Sequence, residues 1–157
     1  MLLEGLVMNT KRIHSASPAE TEAIGAALAT ALLENETLPR YVALYGDLGV
    51  GKTAFVRGVA SVLSPGAAVR SPTFALVHEY RGKLPLFHFD MYRIADEDDL
   101  YSIGYDDYLA RGGVILVEWS ENIPFALPDT YWRVEIQKDD LNAPNSREII
   151  IEEVSVC

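Results

Sequence analysis

Gly46-Asp47-Leu48-Gly49-Val50-Gly51-Lys52-Thr53 fits the pattern G-x-x-x-x-G-K-[S/T], and its flanks decide how it is read. Upstream, Tyr41-Val42-Ala43-Leu44-Tyr45 is a short apolar run of the kind that forms a strand buried on both faces. Downstream, a helix is expected over 52–63, ended by Ser64-Pro65-Gly66. A glycine-rich turn between a buried strand and a helix is the setting in which this pattern binds a nucleoside triphosphate. The glycines let successive backbone N–H groups face the phosphates, and the start of the helix adds its positive dipole end. Lys52 is expected to reach the β- and γ-phosphates, and the Thr53 hydroxyl to bind Mg²⁺, which takes its remaining oxygens from phosphate and water. The expected cofactors are therefore ATP and Mg²⁺, with every residue of 46–53 a candidate contact. Ala54 follows where a second hydroxyl is often found, so that side chain offers the α-phosphate nothing.

Working outward, residues 11–14 read as a short leading strand, and Ser17-Pro18-Ala19-Glu20 as a capping box with proline at the first helical position. Ala23, Ile24, Ala27, Leu28, Ala31 and Leu32 recur at helical spacing, which predicts a helix to about Glu34 with that stripe facing inward. Past the second helix, 74–80 and 84–89 read as an antiparallel hairpin turning at Arg81-Gly82-Lys83. Two short helical patterns within 96–109 break at Gly104, and Arg111-Gly112-Gly113 leads into the apolar strand 114–117. Residues 131–137 and 148–154 flank a polar turn and predict a closing hairpin. The expected fold class is α/β: a single P-loop NTPase domain over 1–157, with a central, mostly parallel sheet and antiparallel hairpin additions.

Three polar clusters fall near predicted strand ends. In His88-Phe89-Asp90-Met91-Tyr92-Arg93, Asp90 stands where a carboxylate holds the metal or its water shell; its plainer reading is a cap on the following turn. His88 alternates with Asp90 and reads as a satisfied core histidine. Glu118 ends the strand 114–117 at the carboxyl edge of the sheet, where ligands of open α/β folds bind. It is the preferred catalytic carboxylate, either completing the Mg²⁺ shell or orienting the attacking water. Trp119 either stacks on a base or fills the core. Ser71-Pro72-Thr73-Phe74 reads as a plain turn or as a switch segment sensing the γ-phosphate. The acidic run 96–99 reads as favourable charge at a helix start, with no chemistry assigned.

Composition bounds the function classes. The chain has 157 residues, 49% hydrophobic and 23% charged, which is the profile of a folded globular domain. No apolar run reaches the roughly 18 residues of a membrane span, and the start lacks the pattern of a signal peptide, so no membrane association and a cytoplasmic location are expected. The sole cysteine, Cys157, leaves no internal disulfide. A net charge of −10 opposes direct binding of a polyanion, so nucleic acid, if involved, is expected to be held by a partner; the plainer reading is that the acidic charge only keeps the protein soluble.

Taken together, the phosphate loop, Ser71-Pro72-Thr73-Phe74, His88-Phe89-Asp90-Met91-Tyr92-Arg93, Gly104 with Tyr108-Leu109, and Val117-Glu118-Trp119 resemble the bacterial TsaE (YjeE) family over nearly the whole chain. The resemblance implies the ATPase component of tRNA threonylcarbamoyladenosine biosynthesis, working with a TsaD-type carbamoyltransferase and its TsaB-type inactive paralogue on the adenosine beside the anticodon. It implies Mg²⁺ bound through Thr53 and Glu118 with Asp90 close by, and catalytic roles for Lys52, Asp90 and Glu118. It also implies a base near the start of the first helix and the C-terminal hairpin, where Arg147 matches an arginine common in that family. Ser120 stands where the family usually has proline. The rival readings of the loop are a small-molecule kinase and a nucleotide-gated binding module that needs no turnover.

Overall fold

In the computed structural model, which describes residues 6–47, 50–70 and 76–156, one seven-stranded sheet runs through the molecule in the order β1-β7-β6-β2-β5-β4-β3. The strands are β1 (Leu6–Ser15), β2 (Tyr41–Tyr45), β3 (Val77–Tyr80), β4 (Leu86–Asp90), β5 (Val114–Glu118), β6 (Thr130–Lys138) and β7 (Arg147–Ser155). The inner strands β6, β2, β5 and β4 are parallel, while β3 joins β4 and β7 joins β6 in antiparallel pairs. This is the expected parallel centre with hairpin additions. The leading strand is longer than 11–14. It pairs antiparallel with β7 from Leu6 opposite Ser155 to Ser15 opposite Arg147, so the two ends of the described chain share one sheet edge.

Helix α1 (Pro18–Glu34) begins where the capping box predicts: the Ser17 side chain accepts from the Glu20 N–H, and Glu20 returns the favour by accepting the Ala16 N–H. Its inward face differs from the expected stripe. Thr21, Gly25, Leu28, Ala29 and Leu32 are buried, whereas Ala23 and Ala27 are exposed. The reason lies in how closely α1 meets α2 (Lys52–Leu63). A methyl on Gly25 would lie 2.3 Å from the Phe55 carbonyl oxygen, and one on Gly58 only 1.9 Å from that of Glu22. Backbone contact through two glycines sets the helix rotation, and a count of apolar residues does not register it.

The two faces of the sheet are covered differently. Helices α1 and α2 lie over Val42, Leu44, Val114, Leu116, Val134 and Ile136. The opposite face, Tyr41, Ala43, Phe87, Phe89, Ile115 and Val117, packs against Leu100 and Tyr105 of the short helices α3 (Glu97–Ser102) and α4 (Tyr105–Ala110). Gly104 separates these helices with φ of 78°, as the break in pattern predicts. Among the described residues no helix is long and apolar enough to cross a membrane.

Candidate functional site

Strand β2 ends at Tyr45, and the chain then turns into α2 through two strained points that only glycine fills cheaply. Gly46 has φ of 144°, and an added methyl would meet the Ile136 carbonyl oxygen at 2.7 Å; Gly51, at φ of 105°, stands just before the first turn of α2. No side chain caps that helix, so its first N–H groups remain available at the loop. Leu48 and Gly49, both candidate contacts, and the segment Ser71-Pro72-Thr73-Phe74 lie outside the described residues, as does Cys157.

Above the loop opens a cleft of about 740 Å³. It brings together the predicted residues Val50, Gly51, Lys52, Thr53, Asp90, Glu118 and Arg147. Gly46 and Asp47 border a neighbouring hollow instead, on the β6 side of the loop. The β4–β5 register explains why the carboxylates converge. Asp90 stands opposite Glu118 at the carboxyl ends of two parallel strands, and both point to the face covered by α1 and α2. The Asp90 carboxylate accepts the Tyr92 N–H at 2.9 Å, so it caps its turn and lines the cleft at once. Lys52, 8% exposed, donates to the Gly46 carbonyl at 2.9 Å, with its Nζ 5.1 Å from the centre of the Trp119 ring.

Trp119 fills the core, one of its two expected readings, packing beneath the α3–α4 face, and it also lines the cleft, where Tyr92 lies ring to ring at 5.0 Å. Its φ of 60° places a bulky side chain in the left-handed region, a strain of about 1–3 kcal/mol. The following turn holds it there. Asn122 N–H donates to the Trp119 carbonyl, and buried Ser120 donates its hydroxyl to the Val117 carbonyl at 3.0 Å. That is the path taken by the loop where the TsaE pattern usually has proline.

Arg147, expected as a nucleotide contact, reaches the cleft from β7, and its Nε donates to the Val50 carbonyl at 2.8 Å while Nη1 donates to the Pro144 and Ser146 carbonyls. It therefore ties the hairpin loop to the phosphate loop. Two features escape the sequence reading. Arg57 lines the cleft one helical turn beyond Thr53, a spacing that could have revealed it. His88, set aside as a core histidine, hydrogen-bonds Glu118 with Nε2 to Oε2 at 2.7 Å.

The donor chemistry suits a magnesium nucleotide. Among the described residues no group of three or more His, Cys, Asp or Glu is placed to hold a metal alone. Thr53, Asp90 and Glu118 offer a hydroxyl and two carboxylates beside Lys52. This is the sparse oxygen set expected where substrate phosphates complete the coordination of Mg²⁺.

An α/β sheet with a glycine-bent loop entering a helix, and carboxylates at the neighbouring strand ends, defines a protein of the P-loop NTPase fold. Residues 15–149 match the family model described as Threonylcarbamoyl adenosine biosynthesis protein TsaE, and the chain belongs to that family. It is similar to the tRNA threonylcarbamoyladenosine biosynthesis protein TsaE of Bacillus subtilis, 38% identical over 83% of this chain and 80% of that protein. It is also similar to the protein of the same name from Treponema pallidum, 36% identical over 70% and 79%. The crystal structure of Bacillus subtilis YdiB superposes with a TM-score of 0.72 and 32% identity, over 97% of this chain and 88% of that one.

Proposed function

We propose that this protein binds and hydrolyses ATP with Mg²⁺ as a cytoplasmic component of the machinery that forms N6-threonylcarbamoyladenosine in tRNA, acting with TsaD-type and TsaB-type subunits that hold the tRNA. The supporting observation is the convergence of Lys52, Thr53, Asp90 and Glu118 on one cleft at the carboxyl edge of the parallel strands. Family membership supplies the pathway, and the net charge of −10 suits a subunit that drives others rather than one that grips RNA.

Each residue has a role its position allows. Backbone N–H groups at the start of α2 and the Lys52 ammonium hold phosphate, in a site where fixed dipoles need no rearrangement as charge shifts. Thr53, Asp90 and Glu118 would hold Mg²⁺, which when bound neutralises charge on the β- and γ-phosphates. Glu118 also stands where a carboxylate can orient the attacking water. Ser17 at the cap of α1 and Thr21 within it, with Asn145 of the hairpin loop and Arg147 at the start of β7, wall the far part of the cleft, where the nucleoside lies in this reading.

Lys52→Ala is expected to lower ATP turnover by about 10²-fold or more. It should also abolish tRNA modification reconstituted from the purified subunits. Full modification with Lys52→Ala or Glu118→Ala would sink the assignment. Capture of the transferase pair from a bacterial lysate in one nucleotide state only would support the partners.

A further inference from the structure

Resting on the reading of the cleft as a magnesium-nucleotide site, we propose that His88 is the positioning residue for Glu118. It holds one carboxylate oxygen so that the other is presented to the ligand in a fixed direction. Four observations carry this.

First, the hydrogen bond is short and dry: Nε2 and Oε2 are 2.7 Å apart, with the two side chains 1% and 9% exposed. Second, it is the sole side-chain hydrogen bond of Glu118 among the described residues. Third, the other ring nitrogen, Nδ1, is buried without a partner among the described residues. A carboxylate oxygen can only accept, so Nε2 is the donor of this pair. The ring's one hydrogen bond among the described residues thus goes to Glu118. Fourth, the register sets His88 in an apolar layer beside the carboxylates. It stands opposite Leu116, two residues before Asp90, on the face that carries both carboxylates. A purely structural side chain there would be apolar, like its neighbours Leu86 and Leu116 in the same layer. A carboxylate that must aim an oxygen at a ligand needs its free rotation removed, and a rigid ring on a central strand does so more firmly than a flexible donor.

The test compares His88→Leu, which fills the volume without a donor, with His88→Gln, whose amide nitrogen reaches the place of Nε2. Apparent Mg²⁺ affinity is measured by calorimetric titration of ATP at stepped Mg²⁺ concentrations, and ATP binding is measured separately in EDTA. His88→Leu is expected to weaken the apparent Mg²⁺ affinity by about 10- to 100-fold. Binding in EDTA should be unchanged, and His88→Gln should recover most of the loss. In the Glu118→Gln background, His88→Leu should add little, because the two residues act as one unit. Equal Mg²⁺ affinity in His88→Leu and the wild type, or equal impairment in the Leu and Gln variants, overturns the proposal and returns His88 to the core. A wild type whose ATP binding is indifferent to Mg²⁺ would instead overturn the magnesium-nucleotide reading, and this proposal with it. Where His88→Leu fails to fold, the ring nitrogens of the unmodified protein decide. ¹⁵N spectra should show a protonated Nε2, as a donor to Glu118 requires, and an unprotonated Nε2 overturns the proposal.

Discussion

Strands β4 and β5 show two chemistries on opposite faces of the same ten residues. Toward α3 and α4 they present Phe87, Phe89, Ile115 and Val117; toward α1 and α2 they present Leu86, His88, Asp90, Val114, Leu116 and Glu118. On the first face the polar groups satisfy one another. The Tyr41 hydroxyl donates to that of Tyr105 at 2.7 Å, and Tyr105 donates to the Ala126 carbonyl at 3.0 Å. On the second, polarity grows toward the strand ends and is left open to a cleft. A sheet buried on both sides can thus devote one side to stability and lend the ends of the other to chemistry, at the cost of carrying His88, Asp90 and Glu118 where apolar groups would pack better.

The sharpest break of this contrast is a pair of substitutions one strand apart. Phe89 is fully buried, with Tyr105 and Tyr108 rings at 5.9 and 5.2 Å. Phe89→Ala is expected to cost about 3–5 kcal/mol, a large share of a domain's usual 5–15 kcal/mol, read as a shifted urea midpoint. Glu118→Gln should leave that midpoint nearly in place, because its amide oxygen still accepts from His88, while ATP turnover falls by about 10²-fold. Equal losses of stability from both would show that the two faces do not divide their work.

Alkaline pH offers a test of the sealed face, read through Tyr41 and Tyr105. Burial pushes the Tyr105 hydroxyl up to about 12, with smaller contributions from the Tyr41 hydrogen bond, which lowers it, and from Asp106. Burial likewise holds Tyr41 well above its ordinary value near 10, reinforced by Tyr105. Between pH 10 and 12 the unfolded chain releases protons that the folded chain keeps, so the folded state binds more protons and stability falls as pH rises. The limiting slope is about 1.4 kcal/mol per pH unit for each such group. The stability present below pH 10 should thus drain away over that window. Tyr41→Phe should flatten the fall in chemical-denaturation curves taken at successive pH values, and an unchanged slope would remove Tyr41 from the account.

Much of the scaffold is legible in the chain because its signals are local. Ser17-Pro18-Ala19-Glu20 starts α1, and the glycine and lysine of the loop start α2 where expected. The open face is harder to read. Asp90 and Glu118 are visible as carboxylates after apolar strands, yet the partnership of Glu118 with His88 spans 30 residues and exists only through the β4–β5 register. The pairing of β1 with β7 and the glycine contact that rotates α1 are likewise long-range, and residue-type patterns carry no term for either. Arg57 is the instructive exception: its spacing from Thr53 is local, yet an exposed arginine on a helix is too ordinary to signal a site.

That arginine also offers the finest test of where the open face ends. Arg57 Nε lies 3.1 Å from Glu22 Oε1, joining α2 to α1 at the mouth of the cleft with both side chains nearly half exposed. Exposed pairs of this kind contribute about 0.2–1 kcal/mol and weaken as salt rises. If the pair only braces the helices, Arg57→Ala and Glu22→Ala should cost the same small amount of stability, and neither should change ATP affinity. If Arg57 belongs to the nucleotide, Arg57→Ala should weaken ATP binding while Glu22→Ala, which frees the guanidinium, leaves it equal or tighter. We expect the second result, because Arg57 lines the cleft beside Thr53 whereas Glu22 does not. Equal ATP affinities across the two variants would place the edge of the working face at Thr53.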